Sequence, residues 1–236
     1  IADNCAEYAN LIFNNSADYS GSTLLLGALF FTFQIYGDFS GYSDIAIGTA
    51  KLFGFDLMVN FKFPYFSRDI AEFWRRWHIS LSTWFRDYVY IPLGGSRDGT
   101  GTWARNVLLT FLLSGLWHGA SWTFVAWGGL HGVYLAAERA LRARFKGYTP
   151  GPLAMIGLGL LTYALINITW VFFRANTVED AFYIVANLFD FSAGAAGLAE
   201  PFAGAVRPEA EVAREHTRGT PRGDFIAPGD HGSFAF

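Results

Sequence analysis

Residues 106–137 read NVLLTFLLSGLWHGASWTFVAWGGLHGVYLAA and contain no Asp, Glu, Lys or Arg. A charge-free run of more than about 20 residues is long enough to cross the hydrocarbon core of a bilayer, so this stretch predicts a membrane segment. His118 lies inside it, and an ionisable side chain at that depth is costly and by default a candidate functional site. Because histidine gains and loses a proton near neutral pH, the stretch predicts a proton acceptor within a membrane protein.

The composition of the whole chain agrees with a membrane protein. Of its 236 residues, 52% are hydrophobic and only 16% are charged, whereas soluble domains carry about 25% charged residues. The net charge of -3 gives no sign of nucleic-acid binding. Cys5 is the single cysteine, which excludes an internal disulfide and cysteine-based metal sites. The chain begins at Ile1 without a signal-like segment, so we expect a fragment of a longer protein with further spans upstream.

Other apolar segments predict further helices. The segment TLLLGALFFTFQIY, residues 23–36, predicts a first span, which the polar cluster YGDFSGYSD closes before a second apolar helix begins at IAIGTAKLFGF. Residues 153–173 are free of charge and predict one more span. The sequence therefore predicts an all-α, polytopic membrane protein.

The remaining segments are more polar. Residues 1–21 and 178–191 have the spacing of short amphipathic helices. Residues 138–148, ERALRARFKGY, form a basic cluster beside a span, and such clusters tend to remain cytoplasmic. Residues 192–236 are rich in Ala, Gly, Pro and charge and have no periodic apolar face. We expect them to be a disordered tail, or sequence foreign to the native fold, after a membrane domain that covers residues 1–191.

Residues 64–95 form a segment rich in tryptophan and arginine, PYFSRDIAEFWRRWHISLSTWFRDYVYIPLGG. Its apolar residues recur at three- and four-residue steps, with Ser67 as the predicted N-cap and Asp69 in the first turn. This pattern favours a helix in the lipid headgroup region over an amphipathic surface helix of a soluble protein. On such a helix His78 shares a face with Arg75. That patch suits either the phosphates of a phosphopantetheine or nucleotide donor, or lipid headgroups.

The histidines do not form a metal-binding motif. No pair in the structured part has i, i+3 or i+4 spacing and there is no HExxH, so no metal site is predicted. His118 and His131 are 13 residues apart, which on one continuous helix places them on nearly opposite faces and about 20 Å apart. They converge only if the helix breaks, and the intervening GAS and GG are the candidate break points.

The chemistry of His118 has several interpretations. As a general base it would remove the hydroxyl proton when an acyl group passes from a thioester to a hydroxyl, which contributes about 10²–10⁴-fold. As a structural residue it would hydrogen-bond between helices, and the residues alone leave both alternatives open. Ser114, four residues earlier, would be the nucleophile of an intramembrane protease, but SGLW is not a GxSxG elbow. For Asp38 and Asp44, which flank FSGYS, structural roles such as capping a broken helix are favoured over catalytic ones.

Three motifs, in this order, resemble the membrane-bound O-acyltransferase (MBOAT) family: FQIYGDFSGYSDIAIG, FWRRWHISLSTWFRDYVYIPLGG and SGLWHGASWTFVAWGGLHG. The likeness is greatest to the bacterial branch of alginate O-acetyltransferase membrane subunits, with the D-alanyl transferases of teichoic acid more distant. It covers about residues 1–191. The resemblance implies a ring of tilted transmembrane and re-entrant helices around a thin centre, where a cytoplasmic funnel meets an outer opening. The chain departs from the family pattern because several N-terminal spans and the final apolar helices are missing.

The same resemblance implies roles for single residues. His118, in WHG, corresponds to the catalytic histidine of the family, and His78, in RWH, to a second functionally important histidine. His131, in GGLHG, corresponds to a position characteristic of this branch. The predicted substrate-binding residues are Arg75 and Arg76, facing the phosphates of the donor, together with His131 and Asp38.

The function implied by this resemblance is O-acyl transfer across the membrane. The favoured acyl group is acetyl. It would pass from a cytoplasmic thioester, either acetyl-CoA or an acyl carrier protein, to a hydroxyl group. The transfer would serve the O-acetylation of an alginate-like polysaccharide. This implies a multi-pass protein of the inner cell membrane that contacts lipid and extracytoplasmic acetyltransferase partner proteins, with no bound cofactor. The alternatives are D-alanyl transfer to teichoic acid, a non-enzymatic transporter of acyl groups or polysaccharide and, more remotely, an intramembrane protease.

Overall fold

The computed structural model describes residues 1–97 and 99–191, and these residues form helices and no strand. The predicted all-α class is therefore confirmed for this part of the chain, whereas the predicted tail lies outside the described residues. In chain order the helices are α1 (Ala2–Asn14), α2 (Gly21–Leu52), α3 (Ile70–Arg76), α4 (Ile79–Phe85), α5 (Gly99–His118), α6 (Trp122–Arg144), α7 (Pro152–Arg174) and α8 (Val178–Asn187).

Two of the described helices, α2 and α7, are long and apolar enough to cross a membrane. A helix over residues 153–173 was predicted and is present as α7, which has the length and apolar character that the predicted span requires. Helix α2 differs from the prediction, because it runs without a break through the polar cluster that was expected to end the first span. The cluster contains Gly37 and Gly41 but no proline, so every residue can donate to the helical ladder, and glycine costs only about 1 kcal/mol in a helix. Asp38 and Asp44 therefore lie exposed on a continuous helix and do not cap a broken one.

The charge-free stretch of residues 106–137 is not a single span. It is divided between α5 and α6, which pack side by side as a helical hairpin, and neither belongs to the two apolar helices described above. The break falls at the GAS predicted as a candidate, where Ser121 caps α6 by accepting a hydrogen bond from the backbone N–H of Thr123. The GG pair lies inside α6. Its first member, Gly128, faces the carbonyl of Phe111 on α5 so closely that a Cβ there would collide with it.

The segment rich in tryptophan and arginine forms two short helices instead of one. Helix α3 is capped by Asp69, whose Oδ1 accepts a 2.6 Å hydrogen bond from the N–H of Glu72, so the predicted cap at Ser67 is wrong. Helices α3 and α4 each have seven residues. Between them His78 has a left-handed backbone conformation, with φ of 42°, which ends the regular helix. The predicted helical face shared by His78 and Arg75 is therefore absent.

The interior is built largely from aromatic side chains. Trp77, the residue after α3, is buried and stacks on Phe73 with ring centroids 5.6 Å apart. Its ring also lies 5.0 Å from Trp170 on α7. Fully burying a large apolar side chain contributes about 1.5–3 kcal/mol, so this cluster holds α3 against α7. The other buried apolar residues of the same core include Phe31, Trp127, Ile166, Val171, Phe172 and Ile184.

Candidate active site

Three histidines from separate parts of the chain lie around one aromatic cluster. His118 is the last residue of α5, His131 lies within α6 and His78 lies between α3 and α4. The ring of Trp127 on α6 is 4.9 Å from that of His118 and 5.0 Å from that of His131, between centroids. The hairpin makes this approach possible, because on one continuous helix the two histidines would face away from each other.

His118 is held in one orientation by the turn of α5 that precedes it. Its Nδ1 lies 2.7 Å from the backbone carbonyl oxygen of Ser114. A carbonyl oxygen can only accept, so Nδ1 carries the hydrogen and the neutral ring presents the lone pair of Nε2. The ring is partly exposed and contacts the rings of Trp117 and Phe173 at centroid distances of 4.9 and 5.4 Å. The local structure thus fixes both the tautomer and the orientation of a proton acceptor.

The contact between Ser114 and His118 involves the backbone of Ser114. A serine nucleophile needs its hydroxyl oxygen within hydrogen-bond reach of a histidine nitrogen. Here the Ser114 atom that contacts the His118 ring is the carbonyl oxygen. The geometry therefore offers no support for the protease alternative.

His131 is fully enclosed. Its side chain has no solvent exposure, and its Nδ1 accepts a 3.2 Å hydrogen bond from the indole Nε1–H of Trp74 on α3. Nε2 must then carry the hydrogen of the neutral ring, and this buried nitrogen has no hydrogen-bond partner among the described residues. The Trp74–His131 bond ties α3 to α6. Substrate binding by His131 stays a prediction, and the described residues show no opening to its side chain.

His78 owes its unusual backbone to a neighbouring extended segment. The N–H of Ile79 donates to the carbonyl of Asn60 at 3.1 Å, and the N–H of Lys62 donates to the carbonyl of Arg76 at 3.0 Å. These bonds hold the residues on both sides of His78 and impose the left-handed turn, a conformation in which histidine is enriched but uncommon. Strain of this kind clusters at functional sites.

The imidazole of His78 is neutral at physiological pH. Burial lowers its pKa to about 4, and the positive charge that His118 can carry acts in the same direction. His78 therefore takes part in the site as an uncharged group that can donate or accept a hydrogen bond.

Two cavities flank α4. The first, the His78 cavity, has a volume of about 620 Å³ and is lined by His78, Ser43 and Trp117, the neighbour of His118. The second, the Arg75 cavity, has a volume of about 490 Å³ and is lined by Arg75 and Arg86 together with many apolar groups. Both volumes fall in the range of about 300–1,000 Å³ typical of small-molecule sites. The wall between them includes Leu81 of α4, which lines both.

Arg75 and Arg76, which were predicted to bind the phosphates of the acyl donor, have different surroundings. Arg75 is exposed and lies at the edge of ion-pair distance from Asp69, 4.0 Å away, so its guanidinium remains available to the Arg75 cavity. Arg76 makes a 2.6 Å ion pair with Glu72 and lines neither cavity. The structure thus brings Arg75, but not Arg76, to a possible ligand.

Glu72 is the acidic centre of α3. Burial acts to raise the pKa of its carboxyl, but hydrogen bonds from the backbone and side chain of Arg68, with the charges of Arg76 and Arg68, outweigh that effect. The pKa of Glu72 therefore lies below its ordinary value. Glu72 is consequently ionised at neutral pH and holds both arginines in place.

Asp38 lies apart from both cavities. It is exposed on α2, whereas the next residue, Phe39, lines the His78 cavity and contacts the His78 ring edge-on at 4.5 Å. Substrate binding by Asp38 stays a prediction without a contact that supports it. Within residues 1–97 and 99–191, no group of three or more His, Cys, Asp or Glu is arranged to hold a metal ion.

Sequence reasoning missed Trp74 and Trp127. Both were expected to be apolar residues of a helix face or a span, yet Trp74 fixes the tautomer of His131 and Trp127 lies between two histidines. No signal in the sequence pairs Trp74 with His131, because 57 residues separate them.

The chain matches the family model of the membrane-bound O-acyltransferase (MBOAT) family over residues 14–171. It is 50% identical over 191 residues to the Azotobacter vinelandii protein named "Probable alginate O-acetylase AlgI", which covers 81% of this chain and 37% of the relative. It is 43% identical to the peptidoglycan O-acetyltransferase of Helicobacter pylori, over 80% of this chain and 36% of the relative. Identity to the teichoic acid D-alanyltransferase of Streptococcus thermophilus is 37%, over 49% and 30% of the two chains.

These relatives extend well beyond this chain, which spans little more than a third of the length of the first two. The family match nevertheless includes most of the described residues and all three histidines of the site. It also covers both arms of the α5–α6 hairpin and the strained turn at His78. The chain therefore belongs to the membrane-bound O-acyltransferase family.

Proposed function

We propose that this chain carries the catalytic histidine of a membrane O-acetyltransferase, which moves an acetyl group from a thioester to a hydroxyl. The observation that carries the proposal is the 2.7 Å hydrogen bond from Nδ1 of His118 to the carbonyl oxygen of Ser114. It leaves Nε2 of a partly exposed imidazole as a proton acceptor of fixed orientation. The relatives named as O-acetyltransferases support acetyl as the transferred group.

In the proposed reaction, Nε2 of His118 takes the proton from the acceptor hydroxyl as its oxygen attacks the thioester carbonyl. The tetrahedral intermediate then collapses, its carbon–sulfur bond breaks, and the departing thiolate takes the proton from the His118 imidazolium. The products are an ester and a free thiol, so atoms and charge balance. General-base assistance of this kind contributes about 10²–10⁴-fold.

The Arg75 cavity is the proposed site of the acyl donor. Arg75 gives it a positive charge, which suits the phosphates of acetyl-CoA or of a carrier-bound phosphopantetheine. Arg86 also lines it, but its guanidinium is already paired with Asp87 at 2.7 Å. Its apolar walls suit the remainder of the thioester arm. Arg76 contributes indirectly, since its ion pair with Glu72 stabilises the helix that presents Arg75.

The His78 cavity is the proposed site of the acceptor hydroxyl. It carries hydroxyl and imidazole groups that can hydrogen-bond to an alcohol, and Ser43 offers a buried hydroxyl without a partner among the described residues. A neutral His78 can accept a hydrogen bond from the acceptor or donate one to it. We assign His131 the role of positioning α3 and α6, through its bond to Trp74.

The wider setting follows from the family. Helices α2 and α7 support a membrane location, and we propose a multi-pass protein of the inner membrane with the family's ring of tilted and re-entrant helices. The names of the relatives favour a cell-surface polysaccharide, alginate-like, as the final acceptor and extracytoplasmic acetyltransferases as partners. D-alanyl transfer is less well supported, because that relative is less similar and matches a shorter part of the chain.

Release of CoA distinguishes the enzyme from a transporter. Purified full-length protein, incubated with acetyl-CoA and a soluble hydroxyl acceptor, is expected to release free CoA in proportion to the ester formed. The His118→Ala variant is expected to release none above background. Movement of acetyl-CoA or polysaccharide across proteoliposomes without CoA release would favour the transporter and contradict the proposal.

A further inference from the structure

A separate cavity lies where α6 ends and α7 begins. Its volume is about 980 Å³, and its lining includes side chains from the segment before α3 as well as from α6 and α7. Arg142, one of its residues, is fifteen residues after Trp127 on α6, about 22 Å along the helix axis. The cavity is therefore distinct from the site around His118, and the proposed reaction does not use it.

The polar side of this cavity is basic and only partly neutralised. Arg142 pairs with Glu138 at 2.9 Å and also with Asp69, so both acidic groups of the lining already have a partner. Arg68 is half exposed, and its guanidinium is paired with Glu72 at 3.2 Å. Lys146 is exposed and makes no ion pair within the part of the chain that the structure describes. The cavity thus offers one unpaired ammonium group, that of Lys146, while its guanidinium groups already have acidic partners.

The other side of the cavity is apolar and continues onto a membrane helix. Phe145, Met155 and Leu158 line it. Helix α7 is one of the two apolar helices long enough to span, so its first residue, Pro152, lies near a bilayer surface. Leu153 in its first turn is 84% exposed. A ligand in this cavity would consequently have its polar end at the headgroup level and its apolar end against α7.

We propose that this cavity binds an anionic phospholipid, with its phosphate at Lys146 and an acyl chain along Phe145 and Leu158. Basic pockets between membrane helices at the cytoplasmic side bind anionic headgroups, and the basic cluster of residues 138–148 is of the kind that remains on that side. The match of positive charge at the rim with an apolar wall below it favours a lipid over a soluble anion. This proposal does not depend on the acyltransferase reaction.

The test measures thermal unfolding of the purified full-length protein in neutral detergent. Phosphatidylglycerol is expected to raise the melting temperature more than phosphatidylcholine of the same chain length, and inorganic phosphate at the same concentration is expected to have no effect. A surface Lys or Arg contributes about 1 kcal/mol to such binding, so Lys146→Ala is expected to weaken the affinity for phosphatidylglycerol about fivefold. Lys146→Arg is expected to retain it.

Lys51→Ala is the matched control, since Lys51 is an exposed cation in the last turn of α2 and does not line the cavity. It is expected to bind phosphatidylglycerol like the wild type. Equal shifts with both lipids, or the same shift with inorganic phosphate, would overturn the lipid assignment. An equal loss of affinity in both alanine variants would also overturn it, because it would indicate general surface charge and not this cavity.

Discussion

His118 and His131 lie on the two arms of one helical hairpin and contact the same Trp127 ring, yet their surroundings differ. His118 is partly exposed, and its hydrogen bond to a backbone carbonyl leaves Nε2 available. His131 has no exposure and is bonded to Trp74. Two histidines of one cluster can therefore have different tasks, because access and the choice of hydrogen-bond partner decide which of them can accept a proton from a hydroxyl.

The largest expected effect is on turnover, in His118→Ala. Loss of the proton acceptor is expected to lower acetyl transfer by about 10²-fold or more. Because the ring is partly exposed, although it contacts Trp127 and Phe173, the melting temperature of the full-length protein is expected to fall less than in His131→Ala. Acetyl-ester formation in membranes and thermal unfolding of the purified variant check both statements. Near-normal acetyl transfer by this variant would show that His118 is not the proton acceptor of the reaction.

His131→Ala is expected to act on stability instead. The substitution leaves a buried cavity and an unpaired Trp74 N–H, so the free energy of unfolding is expected to fall by about 2–5 kcal/mol. Denaturant unfolding of the full-length protein measures this loss, and the transfer rate per folded molecule is the companion readout. A fully stable variant without transfer would place His131 in the chemistry and end the contrast between the two histidines.

A smaller effect is expected from the contact between the two arms of the hairpin. Gly128→Ala places a Cβ against the carbonyl of Phe111, so it is expected to lower the free energy of unfolding by about 1–3 kcal/mol. Gly129→Ala is the matched control, because its Cβ would lie 3.6 Å from a Leu112 methyl group, an ordinary contact. Equal unfolding midpoints for the two variants would mean that the arms do not pack this closely.

The smallest expected effect is on how stability depends on pH, through the ion pairs of Glu72 on α3, the helix that carries Arg75. The pKa of Glu72 lies below its ordinary value of 4.5, so its contribution to stability is fully present above that pH and is lost as the pH falls through the folded-state pKa. Glu72→Gln is therefore expected to be less stable than the wild type at neutral pH, and the difference is expected to shrink below about pH 4.5. Melting temperatures across this range measure it. A difference that grows with acidity would contradict the ion pairs described.

The sequence was sufficient for elements whose formation depends on local pattern. The apolar run of α7 and the amphipathic spacing of α1 and α8 predicted helices that the structure contains. The family motifs also indicated that His118 is the catalytic histidine. Without that resemblance, a structural role for His118 was equally open. These features could be predicted because each is encoded within about 20 consecutive residues.

The remaining features depend on contacts between distant residues. The break at His78 follows from backbone bonds to Asn60 and Lys62, which periodicity within residues 64–95 could not reveal. The enclosure of His131 depends on Trp74, 57 residues earlier. The continuity of α2 was missed for a different reason, since a polar cluster without proline was interpreted as a helix end.

The tautomer of His118 gives the most direct test of the proposed role of this residue as a proton acceptor. In full-length protein with ¹⁵N-labelled histidine, reconstituted in lipid at neutral pH, the His118 signals can be assigned by comparison with His118→Ala. We predict a neutral ring with the hydrogen on Nδ1 and an unprotonated Nε2, as the bond to the Ser114 carbonyl requires. A hydrogen on Nε2 of a neutral ring would contradict the account, because that nitrogen could then not accept the proton of the acceptor hydroxyl.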